Sequence, residues 1–263
     1  MLHNEFLLKL ESAPPIDTAV SGLFARAEKA SRPRFFLCIL DLHASIHKGK
    51  TELLLPSSGF HLAVWQFSEF LDQIAFIDPS NLDEEIDPNL IRRFHMLAYS
   101  QFWEHVAIQR LLLQLVRICN NLEYDPDLLT TNLKRTDRPC ANVYGEIIGK
   151  GKKAELEIAN VVETIYSNQI RNAFAHSQFF FIADLVSFEN YDPRKAENVP
   201  SLKLSTWDKL FRCSLQFMSH LFRCRLDALE ELRGCLPFLF ELPEFERRFK
   251  VIVDERGHYV FVQ

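Results

Sequence analysis

Apolar side chains recur every three to four residues over four long stretches of the chain, which is the spacing of an amphipathic helix. These stretches are 16–30, 60–77, 88–122 and 205–233. Asp87 and Pro88 form a pair typical of a helix start. Ser205 and Asp208 have the spacing of a capping box, and Gly234 is a common helix stop. The pattern therefore predicts a mainly α-helical protein.

A fifth helix is predicted to open near Lys153 and to end at His176. In its last three turns apolar and polar side chains separate onto two sides at about 100° per residue. The apolar side holds Tyr166, Ile170, Ala173 and Phe174, and the polar side holds Ser167, Asn168, Arg171, Asn172 and His176. Arg171 and His176 lie about 140° apart around the axis, so they can flank one groove whose floor is the small Ala175. Residues 145–153 lack the spacing of a phosphate-binding loop and predict a basic turn before this helix.

Shorter stretches have the composition of β-strands. Residues 178–188 are rich in Phe, Ile, Leu and Val with a single charge, and they predict a strand. A polar turn region separates them from a return strand at 199–204, which makes a small β-hairpin insertion after the fifth helix. Residues 249–253 and 258–262 predict a second hairpin at the C-terminus. Residues 35–42 are apolar nearly throughout, so a buried strand and a helix both stay open there.

Length and charge limit the class of protein. With 263 residues, 48% of them hydrophobic, the chain can bury a real core. We expect one compact unit made of a helical domain at 60–234, an N-terminal extension at 1–59 packed on it, and a C-terminal hairpin extension at 235–263. A net charge of −5 leaves no global positive field that would capture nucleic acid. Any RNA must therefore bind at a local cationic cleft.

Neither a membrane segment nor a metal site stands out. No run approaches 18 uncharged apolar residues, and charges interrupt the apolar N-terminus, so we expect a cytoplasmic protein without a membrane partner. His43 and His47 have the i,i+4 spacing of two metal ligands, but no third ligand is evident. A solvated helix end explains the pair as well. We therefore expect no metal and no other cofactor.

The polar side of the fifth helix carries a recognisable motif. Arg171, Asn172 and His176, in the order Arg-polar-x3-His at the end of an amphipathic helix, resemble the signature of the HEPN superfamily. The surrounding order of a long helix, the motif helix, an apolar hairpin and another long helix is similar too. The resemblance covers about residues 60–233. It implies a HEPN-like helical bundle.

The resemblance also implies an activity, namely metal-independent endoribonuclease chemistry in a defence or stress response. His176 would act as general base or acid, because imidazole titrates near neutral pH. Arg171 would bind and stabilise the phosphate, and Asn172 would orient a phosphate oxygen or His176. Asn168 and Ser167 are candidate substrate-binding residues. RNA is then the substrate, and a homodimer that pairs two motif helices around one cleft is expected, with Ala173 and Ala175 permitting close approach.

Other interpretations stay open. Arg and His on a polar helix face are often solvated. In the ribonuclease interpretation, too, truncation of Arg171 or His176 is expected to change stability by only about 0.5 kcal/mol, because both side chains lie on the polar face. HEPN-like domains also serve as non-catalytic nucleotide- or RNA-binding or assembly modules, and a purely structural helical dimer is a third class. Gln178 stands where some HEPN toxins carry a modified Tyr. A regulatory protein or nucleotide ligand is left unspecified. Glu104, His105 and Arg110 either form a solvated face or place one member beside the groove.

Overall fold

The computed structural model describes residues 15–41, 88–125, 140–195, 197–242, 247–253 and 259–262. The helices in this part of the chain are α1 (Ile16–Ala30), α2 (Arg32–Asp41), α3 (Pro88–Glu104), α4 (Val106–Cys119), α5 (Cys140–Lys153), α6 (Glu157–Ile165), α7 (Asn168–Ala175) and α8 (Leu204–Gly234). The strands are β1 (Phe179–Ile182), β2 (Leu185–Phe188), β3 (Ser201–Lys203), β4 (Phe238–Leu242), β5 (Arg247–Val253) and β6 (Tyr259–Val262). The described chain is mainly helical, as predicted.

The core is built around α8, which packs against α1, α2 and α3. Its Trp207 is fully buried and meets Phe174 of α7 edge to face, with ring centroids 4.7 Å apart. Tyr99 of α3 contacts both rings, at 5.4 Å from Trp207 and 6.1 Å from Phe174. Burying a large apolar side chain stabilises a fold by about 1.5–3 kcal/mol. This aromatic cluster therefore fixes α7 against α3 and α8.

The predicted helix over 88–122 is two helices, because the chain leaves helical geometry at His105. The amide Nε2 of Gln109 donates to the carbonyl oxygen of Trp103 at 2.7 Å. The backbone N–H groups of Ile108 and Gln109 both bond to the carbonyl oxygen of His105, which starts α4 anew. At the end of α3 the side chain of Gln109 thus donates to a carbonyl oxygen that a backbone N–H would serve in a continuous helix. Helical periodicity alone does not reveal such a substitution.

The predicted helix from Lys153 to His176 is also interrupted, and residues 145–153 are not a turn before it but part of α5. Helix α5 lies so close to α6 that a Cβ on Gly151 would come within 2.8 Å of the Cβ of Ala159. Glu155, at φ 52°, turns the chain between these two helices. Tyr166 and Ser167 are both extended, so α7 begins as a separate eight-residue helix. The motif lies on this short helix.

The strand predicted over 178–188 is itself a hairpin. Strands β1 and β2 pair antiparallel around a tight turn in which Ala183 has φ 49°. β3 then pairs with β2, so the insertion is a three-stranded sheet in the order β1-β2-β3. The turn is held because the N–H of Leu204 donates to the carbonyl oxygen of Asp184 at 2.8 Å. Sequence reasoning missed it because no glycine or proline marks the position.

The remaining predicted elements agree with the structure in part. The C-terminal hairpin is confirmed as β5 and β6, and β4 adds a strand that was not predicted. Residues 35–41 are helical, within α2. The capping box is wrong, because α8 begins at Leu204 and Asp208 instead pairs with Arg92 at 3.4 Å. The predicted helix at 60–77, the His43 and His47 pair and Asp87 lie outside the described residues.

The division into three segments stays a prediction, although α1 packs against α4, α6 and α8. None of the helices described combines the length and the apolarity needed to cross a bilayer.

One ionisable side chain is enclosed in the core between α3 and α8. His95 is only 7% exposed, and its ring stacks on Phe211 with centroids 4.2 Å apart. Burial lowers the pKa of His95 to about 4. The charge of Asp208 opposes this shift, while those of Arg92 and Arg212 add to it. His95 is therefore neutral in the folded protein at ordinary pH.

We expect the free energy of unfolding to decrease as the pH falls from about 6.5 towards 4, because the unfolded chain binds a proton at His95 and the folded chain does not. The contribution of this residue reaches about 3 kcal/mol. His95→Phe keeps the stacking on Phe211 and should lose that part of the pH slope. Urea unfolding of both proteins near neutral pH and near pH 5 measures it. Equal slopes for the two proteins would contradict the assignment.

Candidate functional site

The start of α7 is fixed by a buried hydroxyl. The Tyr99 hydroxyl donates to the carbonyl oxygen of Ile165 and accepts the N–H of Ser167, both at 3.0 Å. The Ser167 side chain then caps α7 by accepting the N–H of Ile170 at 3.3 Å. Burial raises the pKa of Tyr99, which keeps its hydroxyl neutral. Position and direction of α7 thus follow from one side chain of α3.

The two faces of α7 agree with the pattern in the sequence. Ile170, Ala173 and Phe174 are buried and Tyr166 is half-buried, as the apolar side predicts. On the polar side His176 is exposed, while the others (Ser167, Asn168, Arg171 and Asn172) are half-buried. His176 is the residue that ends α7, and its N–H bonds to the carbonyl oxygen of Asn172.

Arg171 is held in a defined position by two partners. Its Nη1 lies 2.8 Å from Oε1 of Glu104, and its Nη2 lies 2.9 Å from Oδ1 of Asn168. The Arg171 side chain is only 11% exposed. Of the three residues that the sequence left open, Glu104 is therefore the one that reaches the motif. Arg110 is buried in the core, and His105 lies between α3 and α4.

The bond to Arg171 also determines what Asn168 can offer a ligand. A guanidinium only donates hydrogen bonds, so the amide atom of Asn168 that faces Arg171 must be its oxygen. The hydroxyl of Tyr166 lies 3.3 Å from the same oxygen. The NH₂ group is the part of the amide left for a ligand. Asn168 can thus donate to an anion or to a carbonyl oxygen.

A cleft of about 550 Å³ opens beside α7. Ser167, Asn168, Asn172 and His176 all line it, together with residues of α5 and α6. Arg171 does not line the cleft, because its guanidinium is turned to Glu104. The structure therefore brings four of the five residues predicted from the sequence to one cavity, and Arg171 is not among the lining residues.

A further wall of the cleft is formed by Asn190, Lys195, Glu197, Asn198 and Val199. The amide of Gln169 bonds to both backbone groups of Val199, with its Nε2 2.7 Å from the carbonyl oxygen and its Oε1 2.8 Å from the nitrogen. Nδ2 of Asn190 donates to the carbonyl oxygen of Gln169 at 2.8 Å. These bonds attach the segment to α7. Lys195 and Glu197 thereby reach the cleft.

Sequence reasoning did not find Lys195 and Glu197. They lie in the polar region between two strands, about twenty residues beyond the motif, and no local pattern connects them with it. The signal that could have pointed to them is the run of amide and charged residues at 189–198, which is more polar than a simple connection needs.

Among the residues that the structure describes, the lining of the cleft is not cationic. The charged side chains in this described lining are Lys195, Glu163 and Glu197. The carboxylate of Glu163 is compensated by Lys152, whose Nζ lies 2.7 Å from its Oε2. Most of the remaining polar groups are amides and hydroxyls. Within the described residues, no three His, Cys, Asp or Glu side chains come together as metal ligands would.

We expect Arg171→Ala to lower the free energy of unfolding by about 1–3 kcal/mol, because it leaves the half-buried Glu104 and Asn168 without their donor. This exceeds the effect predicted for a solvated side chain. His176→Ala should change the free energy of unfolding by no more than about 0.5 kcal/mol, since the His176 side chain is exposed. Urea unfolding of both variants measures these effects. The coupling of the ion pair is measured in the same way with Glu104→Ala and with the double variant of Arg171→Ala and Glu104→Ala. Additive effects in that double-mutant cycle would show that the ion pair contributes nothing.

The chain matches no model of a protein family, no curated protein and no solved structure. The resemblance of Arg171 to His176 to the HEPN motif therefore stays a prediction.

Proposed function

We propose that the cleft beside α7 binds RNA and that His176 transfers a proton in metal-independent cleavage of the strand. The observation that carries this proposal is that His176 lines the same cavity as Ser167, Asn168 and Asn172. An imidazole exposed to solvent and flanked by amide donors is suited to a phosphodiester. The resemblance of Arg171 to His176 to the HEPN motif supports the same chemistry.

In the proposed reaction the 2′-oxygen of a ribose attacks the adjacent phosphorus. The bond between the 2′-oxygen and phosphorus forms as the bond between phosphorus and the 5′-oxygen breaks. His176 either takes the proton of the 2′-hydroxyl while water protonates the departing 5′-oxygen, or protonates the 5′-oxygen while water takes the proton of the 2′-hydroxyl. The products are a 2′,3′-cyclic phosphate and a 5′-hydroxyl. No oxidant, reductant or metal enters this balance.

The amides contribute donors to the charge that develops on the phosphate oxygens. Asn168 presents its NH₂ group because Arg171 and Tyr166 occupy its oxygen. Asn172 lies one turn further along α7 and lines the same cavity. Donors that are already oriented stabilise a developing oxyanion without reorganisation. In this proposal Arg171 acts on the cleft through Asn168.

A non-catalytic RNA- or nucleotide-binding module is the second candidate. It is favoured by one observation, namely that the guanidinium of Arg171 is bound to Glu104 and does not line the cleft. A site without that cation binds through its amide donors but stabilises the transition state less. The two candidates differ in whether the bound strand is cut.

We expect His176→Ala to lower the rate of RNA cleavage by about 10²–10⁴-fold, the usual contribution of general acid–base catalysis. His220→Ala, on α8 and outside the cleft, is the matched control and should cleave like the wild type. Arg171→Lys should also cleave RNA slowly, because an ammonium cannot bond to Glu104 and Asn168 at the same time as a planar guanidinium does. Gel analysis of a labelled single strand, with and without EDTA, measures these rates.

Cleavage that persists in purified His176→Ala would remove this residue from the chemistry. Cleavage abolished by EDTA and restored by a divalent metal would contradict the metal-independent mechanism. Binding of the strand by the wild type without any cleavage supports the second candidate.

We also propose that the protein is a homodimer. Leu90, Phe94 and Leu97 are about half exposed and follow one another at helical spacing on α3, so they form one apolar stripe. α3 contacts α7 through other residues, among them Tyr99 and Glu104. A stripe of this kind can pair with its own copy across a two-fold axis. Ala173 cannot contribute as expected because it is fully buried, whereas Ala175 is exposed.

We expect sedimentation to show a dimer at tens of micromolar, because interfaces of about 1,600 Å² normally persist at that concentration. Phe94→Glu places a charge in the stripe and should shift the protein towards monomer. Leu226→Glu is the matched control, since Leu226 is 57% exposed but lies on α8, away from the stripe. A wild type that sediments only as a monomer would contradict the proposal.

A further inference from the structure

We propose that Lys195 is the cation that holds an RNA phosphate in the cleft, the role that the resemblance gives to Arg171. This inference rests on the proposed function of the same cavity and identifies its ligand as a single-stranded RNA segment with one phosphodiester group at Lys195. Lys195 and His176 line one cavity, although 19 positions of the sequence separate them.

The segment that carries Lys195 is built into the site. Gln169, inside α7, bonds to both backbone groups of Val199, and Asn190 bonds back to the carbonyl oxygen of Gln169. The segment is therefore bonded to the motif helix on both sides of Lys195, at Asn190 before it and at Val199 after it. The N–H of Lys195 itself bonds to the carbonyl oxygen of Asp192 at 3.1 Å. The backbone of Lys195 is thus held near α7 while its side chain is exposed.

The charge of Lys195 is available to a ligand. Within the described residues its ammonium forms no ion pair, whereas the neighbouring Arg194 is bound by Asp192, with Nε and Nη2 at 2.9 and 3.0 Å from the two carboxylate oxygens. Arg194 lowers the pKa of Asp192 chiefly through that hydrogen bond, and Lys195 adds a smaller effect. Arg194 does not line the cleft. Two adjacent cations therefore differ in their access to the cavity.

The other charges of the cleft decide the class of ligand. Glu163 is compensated by Lys152, but Glu197 has no ion-pair partner among the described residues and lines the cavity with Lys195. The ammonium can hold one phosphodiester by direct contact, while the neighbouring carboxylate disfavours a ligand with several negative charges close together. The amides of the cleft suit the edges of bases, which carry donors and acceptors without charge. An RNA strand presents both features.

The test is equilibrium binding of a fluorescent 2′-O-methyl RNA strand, which lacks the attacking hydroxyl and stays intact. We expect Lys195→Ala to weaken binding about tenfold at low salt and to lower the slope of log K against log salt by about 0.7, the value for one phosphate contact on a single strand. Arg194→Ala is the matched control and should match the wild type. Glu197→Gln should bind more tightly, because it removes a repelling charge from the same wall.

Lys195→Ala that behaves like Arg194→Ala would overturn the inference, and so would a wild type that does not bind the strand. Displacement of the strand by millimolar inorganic phosphate would identify a site for free anions instead of RNA. A thermal unfolding midpoint unchanged in Lys195→Ala shows that the fold is intact.

The two proposals fail separately. If unmodified RNA is never cut but Lys195→Ala weakens binding of the 2′-O-methyl strand, cleavage is wrong and the role of Lys195 stands. If His176→Ala abolishes cleavage while Lys195→Ala changes neither binding nor rate, the function stands and Lys195 has no part in it.

Discussion

The geometry of the site depends on the hydroxyl of Tyr99. This buried side chain bridges the end of α6 and the start of α7, accepting the N–H of Ser167 and donating to the carbonyl oxygen of Ile165. A buried backbone group without a partner costs about 1–3 kcal/mol, so the break between the two helices is stable only where such a hydroxyl is supplied. The Tyr99 ring meanwhile packs on Trp207 and Phe174. One residue of α3 therefore sets where α7 begins and which way its polar face points.

The polar face is then ordered by a second layer of contacts. Glu104 holds Arg171, Arg171 holds the oxygen of Asn168, and the NH₂ of Asn168 is left for the cleft. An ion pair with one partner 11% exposed and the other 34% exposed is screened less than a surface pair, which makes it a suitable anchor for a neighbouring amide. The charge of Arg171 is compensated inside this network. Its contribution to the cleft is orientation.

The proposed binding of RNA in the cleft would act at short range. A net charge of −5 repels a polyanion at a distance, and among the described lining residues two carboxylates stand against one ammonium. Affinity for RNA would then come from individual hydrogen bonds and one local cation, and an apolar stripe on α3 offers a way to bring a second copy of these groups near. Recognition built this way favours flexible single strands, whose bases and phosphates can adapt to fixed donors.

The sequence by itself determined the helical class, the long helix before Gly234, the two faces of α7 and the pairing of β5 with β6. Each of these follows from a repeat within one element, where burial of one face imposes the period. The tertiary structure alone decided the breaks at His105 and Tyr166, the direction of the Arg171 side chain and the place of Lys195 in the cleft. Those features depend on bonds from Gln109, Tyr99, Glu104 and Gln169. Three of these residues, Tyr99, Glu104 and Gln169, lie far along the chain from the groups that they bond. A local pattern carries no record of such partners, because they are selected by the packing of separate helices.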